Sequence, residues 1–343
     1  MSRFFKHGSV GLLLLLVVLF SFFRAASNLN PFHLSGFAQG TTYHITYYAE
    51  DSALKKFQAD SIFHSLDSSL SVYKNYSLIS KFNRERRGVL ADKHLKAVVK
   101  KAGEVSEASG GIFDITVMPL VKLWGFGPDG KSKTDPSEQQ VKAALSFVGY
   151  RKLYFKGDSL LKKDPRITID VNGIAQGYTV DVIAAFLEAK GIKNYLVEVG
   201  GEIRVKGRKQ PSGAVMKIGV ESPSEEENDA DPVLIKSIYV KEGAVTTSGK
   251  YRNFYKNGNK KISHLMDPRT GYSIQNEMIS VTVLAKDGIT ADGYDNVFMG
   301  MHLKEAFAFL KKHPELECYF IYTKENGMAA DTASAGFNAL LHQ

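Results

Sequence analysis

The run Ala291-Asp292-Gly293-Tyr294-Asp295-Asn296 gathers oxygen-bearing side chains at the spacing of one helix face. Positions i, i+3 and i+4 lie together on a helix, so Asp292, Asp295 and Asn296 point the same way. An all-oxygen set suits a hard cation such as Mg²⁺. A cation held there is placed to grip phosphates. The run follows a strand-like segment at 279–285 and reads as the opening of an apolar-periodic stretch over 297–310. Acidic residues in a helix's first turn also complement the macrodipole, and the run alone does not separate the two roles.

Four other segments put polar or glycine-rich residues at the ends of elements, where sites form. Ser109-Gly110-Gly111-Ile112-Phe113-Asp114-Ile115-Thr116 precedes Trp124-Gly125-Phe126-Gly127. Its glycines allow close backbone approach, and Phe113 and Trp124 offer aromatic walls. Asp170-Val171-Asn172-Gly173-Ile174-Ala175-Gln176-Gly177 joins a strand-like segment to a helix. Helix N-terminal amides attract phosphate, although this spacing is neither G-x-G-x-x-G nor a Walker loop. Thr247-Ser248-Gly249 suits a phosphate or ribose contact. His264 stands just before the turn Asp267-Pro268-Arg269-Thr270-Gly271. It is a candidate base near neutral pH, provided the chain returns so that His264 and Asp292 meet. Each segment also has an ordinary reading: loop packing, an Asp-capped turn, a Ser-Gly turn and a structural histidine.

Holding these segments together requires a framework of strands and helices. Alternation over 40–48 predicts a strand, and helical spacing covers 54–70, 95–109 and 177–190. Gly110-Gly111 and Gly191 stop the last two of these helices. Segments 149–155, 167–171, 195–199, 202–205 and 316–322 read as strands, with Gly200-Gly201 as a tight turn. The acidic stretch 222–232 reads as a solvated insertion, and Asp331-Thr332-Ala333-Ser334-Ala335 as a solvated loop. Strands and helices alternate without strict βαβ order. The expected fold is therefore α+β, with mixed sheets and packed helices, as one unit over 28–343.

Composition narrows the class. The chain has 343 residues, 44% hydrophobic and 23% charged, enough for a large core. Its net charge of +8 is spread without a dense basic arm, which speaks against nucleic acid as a partner. Arg3 and Lys6 precede a short apolar run ending at Phe23. This is the pattern of a signal peptide or signal anchor over residues 1–27, so export to a bacterial periplasm or its membrane face is expected. Membrane association would be by that leader only. Cys318, the sole cysteine, lies in an apolar strand-like segment and reads as core. Intrachain disulfides, cysteine metal clusters and acylation of a cysteine after the leader are thereby excluded.

Taken in order, the segments resemble the ApbE family of FAD:protein FMN transferases. The matching pieces are Gly40-Thr41-Thr42-Tyr43, Ser80-Lys81-Phe82-Asn83, Gly110 to Asp114 with Trp124 to Gly127, Asp170 to Tyr178, Gly200-Gly201, Thr247-Ser248-Gly249, Ser263-His264 with Asp267 to Gly271, and Ala291-Asp292. The resemblance implies a T-fold-related architecture and a Mg²⁺-dependent transfer of FMN from FAD to a Thr or Ser hydroxyl of an exported acceptor protein, with release of AMP. It implies metal ligation by Asp292, Asn296 and the Gly173 carbonyl, with Asp295 close by. FAD contacts carried over by motif are Gln39, Tyr73, Ile112, Phe113, Asp114, Asp170, Gln176 and Met266. His264 and Asp292 become the catalytic pair. The chain departs from the family pattern at Gln39 (commonly Met), Gln176 (commonly Lys), Asn296 (usually Thr) and Val171-Asn172-Gly173 (usually Leu-Gly-Gly). The same residues also fit an FAD pyrophosphatase that uses water as acceptor, or a flavin-binding protein without catalysis.

Overall fold

The computed structural model describes residues 29–128, 130, 135–222, 233–250, 254–257 and 260–341. The leader and nearly all of the acidic stretch lie outside the described residues. Along the chain run β1 (Asn30–Ala38), β2 (Thr41–Ala49), α1 (Lys56–Leu70), α2 (Leu78–Arg84), β3 (Gly88–Leu90) and α3 (Lys93–Ala108). Then come α4 (Met118–Leu123), α5 (Glu138–Leu145), β4 (Leu153–Lys156), β5 (Ser159–Lys162), α6 (Ala175–Ala189), β6 (Tyr195–Val199) and β7 (Glu202–Lys206). Next are β8 (Met216–Ser222), β9 (Val233–Val240), β10 (Glu242–Gly249), β11 (Phe254–Asn257), β12 (Lys260–Ser263) and β13 (Met278–Ala285). The chain closes with α7 (Gly288–Met299), α8 (Leu303–Leu310), β14 (Glu317–Thr323), β15 (Ala329–Ala333) and α9 (Ala335–Leu340).

The framework is an eight-stranded antiparallel sheet in the order β1-β2-β6-β7-β10-β13-β14-β15. Successive side chains leave opposite faces of a strand, and both faces are covered. Val197, Ala244, Val283 and Phe320 pack on the helix side. Val205, Val245, Tyr319 and Ile321 pack under the β8–β9 hairpin and α9. Cys318 is buried in the first of these cores, and burial raises its thiol pKa well above the usual value. Two hairpins turn on two residues each. Gln39-Gly40 and Gly200-Gly201 all have positive φ, the conformation that lets a two-residue loop follow strand twist.

Several expectations change. Residues 167–171 form no strand. They run extended because the Asn83 side chain donates to the Ile169 carbonyl at 2.9 Å and accepts from its amide at 2.7 Å, serving as a one-residue strand partner. The 149–155 segment begins as a 3₁₀ turn and becomes β4 only at Leu153. The apolar stretch 297–310 is two helices, because Gly300 ends α7 and a His302–Glu305 capping box starts α8. Residues 331–333 are not loop but the end of β15, with Ser334 as the N-cap residue of α9. Nor does the Asp292 run open its helix. Asp287 caps α7 through the Thr290 amide, so Asp292 sits beyond the first turn.

The carboxylates of this helix pair serve each other's ends instead. α6 and α7 cross at Gly177 and Gly288. A Cβ on Gly177 would overlap the Gly288 carbonyl and the Asp292 Cβ, and one on Gly288 would overlap the Gly177 carbonyl. At that distance Asp292 accepts the Gly177 amide hydrogen at 2.8 Å, in the first turn of α6. In return Asp181 of α6 accepts the Gly288 and Ile289 amides of α7 at 2.8 and 2.9 Å. Three orphan donors are thus satisfied by carboxylates at positive helix ends.

Burial pushes the Asp181 carboxyl up to about 6, against the pull of its two amide bonds; neighbouring Asp287 adds to the rise and Arg204 opposes it. A raised carboxyl pKa means the folded chain holds this proton more tightly than the unfolded one. The group's contribution to stability is therefore full below about pH 4 and falls as pH rises to about 6. Asp181→Ala leaves two amides unsatisfied and is expected to cost about 1–3 kcal/mol, more near pH 4.5 than near pH 7.5. Chemical denaturation at both pH values checks this, and a larger cost at the higher pH would reverse the assigned shift.

Candidate active site

The α6–α7 crossing forms one wall of a cavity of about 950 Å³, near the upper end of the roughly 300–1,000 Å³ common for small-molecule sites. Every sequence-derived site residue borders it: Gln39, Tyr73, Ile112, Phe113, Asp114, Asp170, Gly173, Gln176, His264, Met266, Asp292, Asp295 and Asn296. Residues more than 250 positions apart thus share one space. Thr247, Ser248 and Gly249 border it too, at the end of β10.

At the α7 wall, Asp292 and Asp295 are almost fully buried. The Asn296 amide nitrogen donates to the Gly173 carbonyl at 3.2 Å, the Asp292 carbonyl at 3.0 Å and Asp295 Oδ1 at 2.8 Å. The Asn296 nitrogen is therefore surrounded by oxygens from the α6 entry and from the middle of α7. A half-turn of the amide exchanges its nitrogen for its oxygen. The set Asp292, Asp295, Asn296 and Gly173 C=O is then all oxygen, the chemistry of Mg²⁺ rather than of a soft metal. Among the described residues no three His, Cys, Asp or Glu cluster as a metal site, so this set relies on a main-chain carbonyl and an amide. Burial pushes the Asp292 carboxyl up; the Gly177 amide pulls it back and Asp181 adds to the rise. A cation beside it favours the ionised form. The donor set fits the group.

Beside the α7 wall the α6 entry lies along 170–177. The Asp170 amide donates to the Ile115 carbonyl, and Asp170 Oδ1 accepts the Asn172 amide in an Asx turn. Burial raises the Asp170 carboxyl pKa. Asn172 reaches the hydroxyl of Tyr73 at 3.4 Å, and Tyr73 itself is exposed. Gln39 accepts from Thr179 Oγ1 of α6 at 3.1 Å, which ties the β1–β2 turn to the helix.

Asp114 borders the cavity, but its carboxylate is occupied. Oδ1 accepts from the Thr116 amide and hydroxyl at 2.8 and 2.6 Å, and Oδ2 accepts the Tyr150 amide at 2.7 Å. It fixes the shape of the Ile112-Phe113 wall. On the far side Trp124 Nε1 donates to the Gly271 carbonyl at 2.8 Å, pinning the turn after His264. The His264 ring lies edge-on to Phe126 with centroids 6.4 Å apart. His264 and Asp292 do come to one cavity, as a return of the chain requires.

Asp181 and Glu202 belong to this arrangement although no motif in the sequence named a role for them. Glu202 is buried and borders the cavity at the first residue of β7; its place directly after Gly200-Gly201 was the available signal. Asp181 left none, because its role depends on which helix crosses above it.

Known proteins share both this sequence pattern and this fold. A sequence model described as the ApbE family matches residues 39–320. The FAD:protein FMN transferase of Vibrio cholerae is 34% identical over 315 residues, covering 90% of this chain and 92% of that protein. That of Haemophilus influenzae is 31% identical, covering 88% and 89%. The solved flavin transferase ApbE from Vibrio cholerae superposes with a TM-score of 0.81 at 33% identity, covering 91% of this chain and all of that one. The apo flavinyl transferase ApbE of Pseudomonas stutzeri gives 0.81 at 30% identity, with 92% and 98% covered. Sequence and fold agree over the same span, and the chain belongs to the ApbE family.

Proposed function

We propose that this chain is an exported, Mg²⁺-dependent FAD:protein FMN transferase that attaches FMN to a Thr or Ser hydroxyl and releases AMP. One observation carries the reading. A single cavity brings the oxygen set at Asp292, Asp295, Asn296 and Gly173 together with the aromatic and polar wall from Gln39 to Gln176 and with His264. The catalytic unit is residues 28–343 behind the leader.

In this reading Gln39, Tyr73, Ile112, Phe113 and Met266 bound the flavin, and Asp170 and Gln176 orient it. Bound Mg²⁺ supplies charge neutralisation at the pyrophosphate and would be held by Asp292, Asn296 and the Gly173 carbonyl, with Asp295 beside them. His264 takes the proton of the acceptor hydroxyl. The hydroxyl oxygen bonds to the FMN phosphorus, and the bond from that phosphorus to the AMP oxygen breaks. AMP leaves with the electron pair. Gln176 supplies a neutral amide where a lysine is common, so the phosphates rely more on the cation.

The direct test incubates the chain with FAD, Mg²⁺ and a candidate acceptor protein, and weighs the acceptor for an added FMN. Free FMN with no labelled protein would favour the hydrolytic reading. Asp292→Asn keeps an acceptor for the Gly177 amide but removes the charge. It is expected to cut transfer on the order of 100-fold or more with a near-native melting temperature; undiminished turnover would remove the metal-site assignment.

His264→Ala is expected to slow transfer to protein by roughly 10²–10⁴-fold and to leave FAD affinity nearly unchanged. Equal losses in transfer rate and in affinity, measured by titration and single turnover, would make His264 a binding residue.

The leader assigns the working compartment. A full-length chain with a C-terminal tag is expected in the periplasmic or membrane fraction of a bacterial cell. Recovery of that chain in the cytosol would contradict export.

A further inference from the structure

One long edge of the main sheet ends at the cavity. Among the described residues β1 pairs only with β2, and the register fixes which of its backbone groups face outward. The Thr42 carbonyl accepts from Gly200, and the Tyr48 amide donates to Asn194. Even-numbered β2 residues thus bond away from β1 and odd-numbered ones bond toward it. The partners of those odd residues are Phe32, Leu34, Gly36 and Ala38. The amides and carbonyls of His33, Ser35 and Phe37 therefore point off the sheet.

The usual safeguards of an edge strand are missing along this row. β1 contains no Lys, Arg, Asp or Glu, and its one proline, Pro31, lies at the end far from the cavity. At the near end Phe37, Ala38 and Gln39 line the cavity, and Phe37 is 74% exposed. A row of main-chain donors and acceptors with no strand partner among the described residues, beside an exposed aromatic ring and leading into the site, is a template for an extended peptide.

We propose that β1 is the docking edge for the acceptor: an extended segment of the acceptor polypeptide adds to it as a ninth strand and delivers its hydroxyl residue past Phe37 into the cavity. The inference rests on the transfer reading above. Main-chain pairing supplies affinity with little demand on sequence, and Phe37 contacts one alternate side chain of the incoming segment. The hydroxyl then enters from the β1–β2 turn, on the side where Gln39 is tied to α6.

The test uses the full chain with FAD, Mg²⁺ and a bead library of 13-residue peptides carrying a central Thr with randomised flanks. Beads that become flavin-labelled give a substrate sequence, which is resynthesised with single backbone N-methyl groups at each flank position. Strand addition is expected to give a period-two pattern, with roughly tenfold or greater loss of labelling at alternate residues and little change between them. Ser35→Pro removes one outward amide and leaves the β1–β2 bonds intact. It should lower labelling by a similar factor with unchanged FAD affinity, and Ser35→Ala should not. The peptide scan stands on the unaltered protein if Ser35→Pro does not fold. Labelling without the period-two pattern would overturn the docking edge alone. A concentration-dependent dimer lost in Ser35→Pro, with peptide labelling unchanged, would assign the edge to a second copy and overturn it as well. No labelled bead at all would remove the transfer reading, and this inference with it.

Discussion

The site depends on how closely two helices approach. Gly177 and Gly288 let α6 and α7 meet backbone to backbone, and only then can each helix offer a carboxylate to the other's N-terminus. The exchange does two things at once. It satisfies amides that neither helix can pair internally, and it sets Asp292 at the end of the 170–177 segment. The oxygen set is then drawn from both helices: the Gly173 carbonyl from the entry to one, and Asp292, Asp295 and Asn296 from the other. A side chain larger than hydrogen at the crossing would separate these contributors, although it touches none of them through its own chemistry.

The rest of the fold holds the opposite wall at a fixed distance. The sheet carries α6 and α7 on one face and is clamped on the other by the β8–β9 hairpin and α9. The Asn83 clamp on Ile169, the Asp114 carboxylate and the Trp124 bond to Gly271 act as point fasteners on irregular chain. Loops supply about half of the residues that line the cavity, and these bonds give those loops definite positions. Burial raises the Asp292 carboxyl pKa, and a cation held beside it would offset that by favouring the ionised form.

Much of this was legible in the sequence where local chemistry decides. Strands at 195–199 and 202–205 follow from apolar alternation and two glycines. The helix stop at Gly110-Gly111 follows from the two glycines, both of which take positive φ. The residues picked out by the ordered motifs all border one cavity. What failed were features set by distant partners. The extended run 167–171 looks like a strand but is held by one asparagine side chain. The Asp292 run looks like a helix start, yet the start is four residues earlier, at Asp287 and Gly288. Periodicity over 297–310 hides a break that Gly300 and the His302–Glu305 box impose.

Trp124 is the chain's only tryptophan, and it is buried against the turn that follows His264, in a cluster that includes Met266 of the cavity wall. Excited beyond the tyrosine absorption band, the molecule's intrinsic ultraviolet emission therefore originates from a single indole beside the site. An isoalloxazine ring in the cavity would absorb that emission at close range, so occupancy can be followed by quenching in the unlabelled protein.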